Sequence, residues 1–320
     1  MRTCAGLIAL LAVCATASGQ AYPSKPIRLV VGFAPGGAAD IVARTVGDPL
    51  GRLLGQGIVI DNRPGAGSSM AAELVAKAAP DGYTILIASP SSQSVNPVLS
   101  KHVGYNAEKD FAPISKITSS PLVVAVNPGL PVRSIPDLIA EAKRAPGRLN
   151  FASSGNGSAP HLAAVLFGSV AGVEMVHVPF KGGAPAVQSV VAGDTQVTFA
   201  TPPSVLPMIQ AGRLRGLAIT GRARSAVVPG LPGMEEAGLP GYDISFWYGL
   251  FTPAGTPPEV IKRLYDATVL VMQRPELRQS LARDGTDVSI SRSPEDFAAF
   301  LREDAKLWAR VVRESGAKSD

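Results

Sequence analysis

Cysteine is nearly missing: the 320 residues hold two, Cys4 and Cys14, and both fall in the first 21. Those 21 residues read as a cleaved secretory signal. Arg2 supplies a positive start, residues 7–13 an apolar stretch, and Ala15, Ala17, Gly19 and Ala21 the small residues a signal peptidase requires. The apolar core is far shorter than the roughly 20 residues that span a bilayer, which argues against a membrane anchor. Val13 stands where a lipoprotein site takes a small residue, which argues against lipidation at Cys14. With cleavage near Ala21 the exported chain has no thiol. Disulfides, thiolate metal sites and cysteine nucleophiles are excluded, and a chain of about 300 residues buries enough core without staples.

Charge runs are also missing. Thirty Lys and Arg against 25 Asp and Glu give a net charge of +5, spread along the chain, which points away from nucleic acid. The three histidines, His102, His161 and His177, lack metal-binding spacing. No serine sits in a Gly-x-Ser-x-Gly elbow, which sets aside the hydrolase reading that His161 beside Ser154 and Ser158 invites. Gly65-Ala66-Gly67 and Gly155-Asn156-Gly157 lack the third glycine of a dinucleotide fingerprint. The expectation is a chain with no catalytic residues, no metal and no cofactor.

What is present is an alternation of short β-branched runs with helical patterns, the signature of a mainly parallel sheet covered by helices. Residues 27–33, 58–61 and 84–88 read as strands of a βαβαβ unit. A second series follows with strands at 122–126, 149–152, 174–179 and 196–200. After Gly241, residues 246–251 read as a strand, followed by three helices whose apolar faces need a sheet to cover. The chain is therefore expected to return to its first unit, giving two crossings and a cleft between two lobes. The first lobe is placed at 22–122 plus 243–320 and the second at 123–242, with hinges near 122–126 and 246–251.

Two loops in equivalent strand–loop–helix settings stand out. The first is Phe33-Ala34-Pro35-Gly36-Gly37-Ala38-Ala39-Asp40, where paired glycines permit a tight turn and the helix start attracts an anion. Asp40 suits bonding backbone N–H groups and holding that loop, since a carboxylate against an anionic ligand would repel it. The second loop, Ser153-Ser154-Gly155-Asn156-Gly157-Ser158 with His161 beyond it, offers many neutral donors around a helix start. Ser89, Ser91 and Ser92, Lys181-Gly182-Gly183, and Thr201 to Ser204 also follow strand ends, where ligands of open α/β sheets bind. Lys181 fits a carboxylate partner or a solvated surface charge equally well.

At these motifs the chain resembles the Bug family of extracytoplasmic solute receptors, the binding components of tripartite tricarboxylate transporters. The resemblance runs through Tyr22-Pro23-x-Lys25-Pro26-Ile27, Phe33-x-Pro35-Gly36-Gly37-x-x-Asp40, Asn62-Arg63-Pro64-Gly65-Ala66-Gly67, Pro80-Asp81-Gly82-Tyr83-Thr84, Ser154-Gly155-x-Gly157-Ser158-x-x-His161-Leu162 and Thr252-Pro253-Ala254-Gly255-Thr256-Pro257. It implies a periplasmic, two-lobed Venus-flytrap of the type II-like binding-protein class. It also implies a small carboxylate or related metabolite as ligand, contacted by both glycine loops through backbone amides, small polar groups and water. Membrane subunits of a transporter are the implied partners, a sensor kinase the alternative, and a monomer the expected state. A carboxylate-processing enzyme is the reading from another class. Phe180 departs from the tyrosine usual before Lys-Gly, and Pro232-Gly233-Met234 from a usual Pro-Thr pair.

Overall fold

A computed structural model describes residues 22–100 and 103–315. The signal-like segment with Cys4 and Cys14, and His102, lie outside the described residues.

The chain opens with β1 (Ile27–Val31), α1 (Ala38–Leu54), β2 (Ile58–Asn62), α2 (Ser69–Ala76) and β3 (Thr84–Ala88). A π-helical turn at Ser91–Val95 leads into the short α3 (Asn96–Leu99) and the long β4 (Phe111–Pro121). The second series is β5 (Val123–Val126), α4 (Ile135–Arg144), β6 (Asn150–Ser153), α5 (Ala159–Ala171), β7 (Val176–Pro179), α6 (Gly183–Ala192), β8 (Val197–Ala200), α7 (Pro202–Gln210) and β9 (Arg215–Ile219). The chain closes with β10 (Ser245–Pro253), α8 (Pro258–Met272), α9 (Pro275–Arg283), β11 (Asp287–Val288) and α10 (Pro294–Ser315).

These strands form two sheets, ordered β11-β4-β10-β3-β1-β2 and β7-β6-β8-β5-β9. Both are mixed, which corrects the mainly parallel expectation. The pairs β1–β2, β1–β3, β6–β7 and β6–β8 are parallel, whereas β4, β5, β9, β10 and β11 pair antiparallel. The reason is the return: a chain that leaves one sheet along a strand and re-enters it from the other lobe runs opposite to the strands it joins. Strands β4 and β9 have no counterpart in the sequence reading.

Strand β10 is buried on both faces. Phe246, Tyr248 and Leu250 join the large core that runs through both sheets, while Trp247 and Phe251 pack with Phe297 on the opposite face. Gly249 lets that face close, since a Cβ there would lie 2.3 Å from the Phe297 ring.

The chain passes between the sheets twice: at Leu122, between β4 and β5, and between Ile219 and Ser245. Thr220, fully buried, laces the two passages together. The Leu122 amide donates to its hydroxyl oxygen (2.7 Å), and that hydroxyl donates to the Ile244 carbonyl (2.8 Å). The second passage thus lies ahead of residues 246–251, which are built into the first sheet. Helix α10 adds a packed contact across the lobes, touching both the π-turn and α5.

Candidate functional site

The loop after β1 is held from behind. Asp40, 4 % exposed, accepts from the Gly36 amide (3.0 Å), from Arg44 Nε (3.0 Å) and from Asn62 Nδ2 (3.1 Å). Burial alone would raise its pKa, but the bonds from Arg44, Gly36 and Asn62 outweigh it and hold the carboxyl below its ordinary value. Every acceptor oxygen of Asp40 therefore faces protein. Gly36 carries the positive φ of this loop, 77°, and Gly37, with φ −82°, is ordinary extended backbone at the α1 N-cap. Pro35 and Gly36 are exposed and do not line the cleft.

The loop after β6 is held by serine hydroxyls and imidazole rings. Ser153 Oγ accepts from the Gly155 amide (3.1 Å) and lies 2.6 Å from His177 Nε2. Ser158 caps α5 by accepting from the His161 amide (3.2 Å), and His161 Nδ1 accepts from the Gly157 amide (3.3 Å). The rings of His161 and His177 stack at 3.9 Å, with Phe151 stacked on His177 at 4.9 Å. Burial, with repulsion from His161, pushes the His177 pKa down to about 3, so this ring is uncharged at any pH the fold experiences near neutrality.

Both loops meet the opposite lobe directly. The Ala34 amide donates to the Lys181 carbonyl (3.1 Å), and a Cβ on Gly182 would come 3.0 Å from the Ala34 nitrogen. Gly155 and Gly157 face Gly67 and Asn96, and a Cβ on Gly157 would lie 1.9 Å from Asn96 Oδ1. The lobes also exchange serine hydroxyls at each other's helix starts. Ser204 Oγ accepts from the Ala38 amide of α1 (3.1 Å), and Ser91 Oγ accepts from the Ala159 amide of α5 (2.9 Å). The molecule is closed.

Between the lobes lies a cleft lined by Phe33, Gly37, Ala38, Ala39 and Ser154, by Pro160, Gly183 and Thr201 at the starts of α5, α6 and α7, and by Thr198, Phe199, Phe246 and Tyr248. Among the described residues, no charged side chain lines it. Gly37 and Gly182 give α1 and α6 no side-chain cap, so first-turn amides of these two helices, those of Ala39 and Gly183, are left for another acceptor, whereas α7 opens on Pro202 and Pro203, which carry no N–H. Only about 20 Å³ of the cleft is open to the centre of a water molecule, room for about one water. Anything larger requires the lobes to part.

Of the residues singled out in the sequence, Phe33, Gly37, Ser154 and Thr201 line the cleft. Asp40, Ser153, Gly155, Gly157, Ser158, His161 and Gly182 build the loops around it, as described above. Ser89 is fully buried with its hydroxyl unpaired, and Asn156 is exposed. The Lys181 side chain is exposed, and its carbonyl makes the interlobe bond. The hinge-side wall went unread: Phe246 and Tyr248 look like ordinary strand residues, and only the period-2 alternation of β10 hints that both face one side. Burial raises the Tyr248 pKa, which keeps its hydroxyl a neutral donor.

Residues 42–317 match the family model described as tripartite tricarboxylate transporter family receptor. The chain is 36 % identical over 312 residues to Protein BugT of Bordetella pertussis, covering 97 % of this chain and 95 % of that protein. Among solved structures it is similar to one described as a periplasmic transporter (39 % identity, TM-score 0.90, 94 % of this chain and 100 % of that one). A Rhodopseudomonas palustris protein solved with adipate is 33 % identical (TM-score 0.90, 93 % and 99 % covered). MatC of the same organism, solved with bound malate, is 31 % identical (TM-score 0.87, 91 % and 100 % covered). The chain belongs to the receptors of the tripartite tricarboxylate transporter family, two-lobed solute-binding proteins whose partners are a ligand and a transporter.

Proposed function

We propose that this receptor captures a small carboxylate in the periplasm by closing its two lobes around it, without turning it over. One observation carries the reading: the uncapped starts of α1 and α6 converge on a cleft whose described lining carries no charged side chain. Backbone amides at helix starts favour an anion, and neutral donors release it more readily than a salt bridge would. The relatives solved with adipate and malate support the same class of ligand. In this reading the amides of Ala39 and Gly183, with Ser154 and Thr201, touch the carboxylate. Phe33, Phe246 and Tyr248 bound the rest of the ligand. The remaining loop residues Pro35, Gly36, Asp40, Ser89, Ser153, Gly155, Asn156, Gly157, Ser158, His161, Lys181 and Gly182 shape or flank that pocket.

The lobes are taken as 22–122 plus 243–320 and 123–242, a division supported by sheet membership, and the receptor as a monomer exported with loss of residues 1–21. Amino-terminal sequencing of the exported protein should begin at or near Tyr22, and Met1 retained would overturn the export reading. The binding test is calorimetry with adipate, malate and a panel of organic acids on the wild type and on Gly37→Val. A Cβ at Gly37 lies 3.4 to 3.8 Å from Ala34, Ala184 and Gly183, which is tolerable, but a branched side chain extends into the cleft. Gly37→Val is expected to keep its melting temperature within a few degrees and to lose about 100-fold in affinity, roughly 2.7 kcal/mol. Unchanged affinity, or release of a chemically altered ligand, would refute the reading.

A further inference from the structure

Helix α10 carries a buried carboxylate that the binding cleft does not use. Asp304 is 7 % exposed, and Ser94 Oγ donates to its Oδ2 at 2.5 Å. The indole N–H groups of Trp247 and Trp308 are buried without a well-formed hydrogen bond, yet both act on this carboxylate and favour its charged form. Among the described residues, Lys116 on β4 is the charge that acts on it from outside its own helix. Lys116 Nζ sits over the Phe300 ring at 4.2 Å and feels Asp296 as well. On α10 itself, Glu303 and Lys306 pair with each other at the surface (2.7 Å). A buried carboxylate is a poor way to stabilise a core, because an apolar residue of similar volume does as well or better. Its partners therefore point to what it is for.

Through Ser94 it holds the π-helical turn Ser91–Val95. Turns of this kind are rare and recur at functional sites. The Tyr105 hydroxyl donates to the Ser92 carbonyl (2.6 Å) from the other side, so the turn is clamped at two points. Its first residue, Ser91, is the one whose hydroxyl receives the Ala159 amide at the start of α5 in the opposite lobe.

We propose that Asp304 is a positioning residue for ligand capture: by holding Ser94 it sets the π-turn so that Ser91 joins the first lobe to the start of α5 when the lobes close. It reaches the ligand only through closure. The affinity part of this inference rests on the proposed binding function; the closure part does not.

An ionised carboxylate accepts the Ser94 hydrogen bond more strongly than its acid does. Burial raises the Asp304 pKa to about 6, so the tie weakens as pH falls from 7.5 to 5. The contribution of Asp304 to global stability moves the other way. A carboxyl whose folded pKa is raised binds more protons folded than unfolded between its ordinary value and about 6, so its contribution to stability rises on acidification through that window. The opposite signs separate positioning from plain support of the core.

The test is amide hydrogen exchange at Ala159 in the full, unliganded chain at pH 7.5 and 5, expressed as protection over the intrinsic rate, for the wild type, Asp304→Asn and Ser94→Ala. Wild-type protection should fall roughly threefold to tenfold on acidification, and both variants should sit near the low-pH value at either pH. His161, two residues beyond the reporting amide, is the same in all three proteins, so the difference between the wild type and the variants at each pH isolates the link from Asp304 to Ser94. Protection that rises with thermal stability on acidification, or a wild-type pH profile in Asp304→Asn, would overturn the inference. Ser94→Ala tests the same link should Asp304→Asn fold poorly. Calorimetry with adipate and malate then asks whether affinity follows Ala159 protection. Failure of both acids to bind would count against the proposed ligand class and leave the exchange result to judge Asp304.

Discussion

The loop between β1 and α1 leans on an ion pair between buried Asp40 and exposed Arg44, whereas the loop between β6 and α5 leans on stacked rings and serine hydroxyls. The glycines differ too. Gly36 has nothing within 4 Å of where a Cβ would stand, while Gly155 and Gly157 are pressed against the opposite lobe. Both loops end in a helix start aimed at the same cleft, so the shared requirement is the placement of backbone amides. What holds the loop from behind is free to vary. The first loop depends on charge and is open to solvent at its tip; the second depends on close fit.

The comparison breaks most visibly at Gly157. With φ 68° and Asn96 Oδ1 only 1.9 Å from where a Cβ would stand, Gly157→Ala has no easy relief, because Asn96 is itself tied to Gly67 O (3.2 Å) and Ser69 Oγ (2.7 Å). A cost of about 3 kcal/mol falls on the closed form, which predicts a loss of over 100-fold in ligand affinity by calorimetry and a larger radius of gyration with saturating ligand.

Removing the charge from the first loop should cost less and act on stability. Asp40→Ala leaves the Gly36 amide and Asn62 without their acceptor and is expected to destabilise the fold by about 1–3 kcal/mol in urea unfolding. The Asp40 pKa is lowered in the fold, so its contribution is present above the unfolded value near 3.9 and is lost as pH falls through the folded one. The stability gap between the wild type and the variant should therefore narrow as pH falls below about 4.

The second loop should respond to acid in a different window. His177 stays neutral in the fold down to about pH 3, while an unfolded histidine takes a proton near 6.5, so acidification between those values favours the unfolded chain. His177→Phe removes that term. Its melting temperature should fall less than the wild type's between pH 7 and 4, and an equal fall would show that His177 is not the group responsible.

The smallest effect is expected at Gly36→Ala. Positive φ costs about 1 kcal/mol for an alanine, but the open surroundings add no clash, so affinity should drop less than tenfold. A loss as large as that of Gly157→Ala would erase the distinction between the two loops.

Much of this was legible in the residues. Strand β3 stands where the periodicity puts it, β1, β2 and β6–β8 lie within two residues of their expected ends, and the strand after Gly241 with three helices behind it is present. Asp40 holds its loop because a carboxylate beside a ligand anion would repel it, a conclusion that charge alone permits. The apolar hinge wall was not legible. Phe246 and Tyr248 share the sequence character of any buried strand, and their place at the cleft follows from β10 lying next to the passage between the sheets. Ser91 and Ser204 are hydroxyls like many others until the opposite lobe brings Ala159 and Ala38 to them.

By itself the sequence determined the local elements and the two glycine loops, because these depend on residue type and spacing within a few turns of chain. Only the tertiary structure decided the antiparallel return of β4 and β10, the lacing of both passages by Thr220 and the pairing of Asp304 with Ser94, 210 residues away. Contacts at that separation leave no periodic mark on either segment, since each partner's side chain is chosen by a neighbour that local spacing never sees.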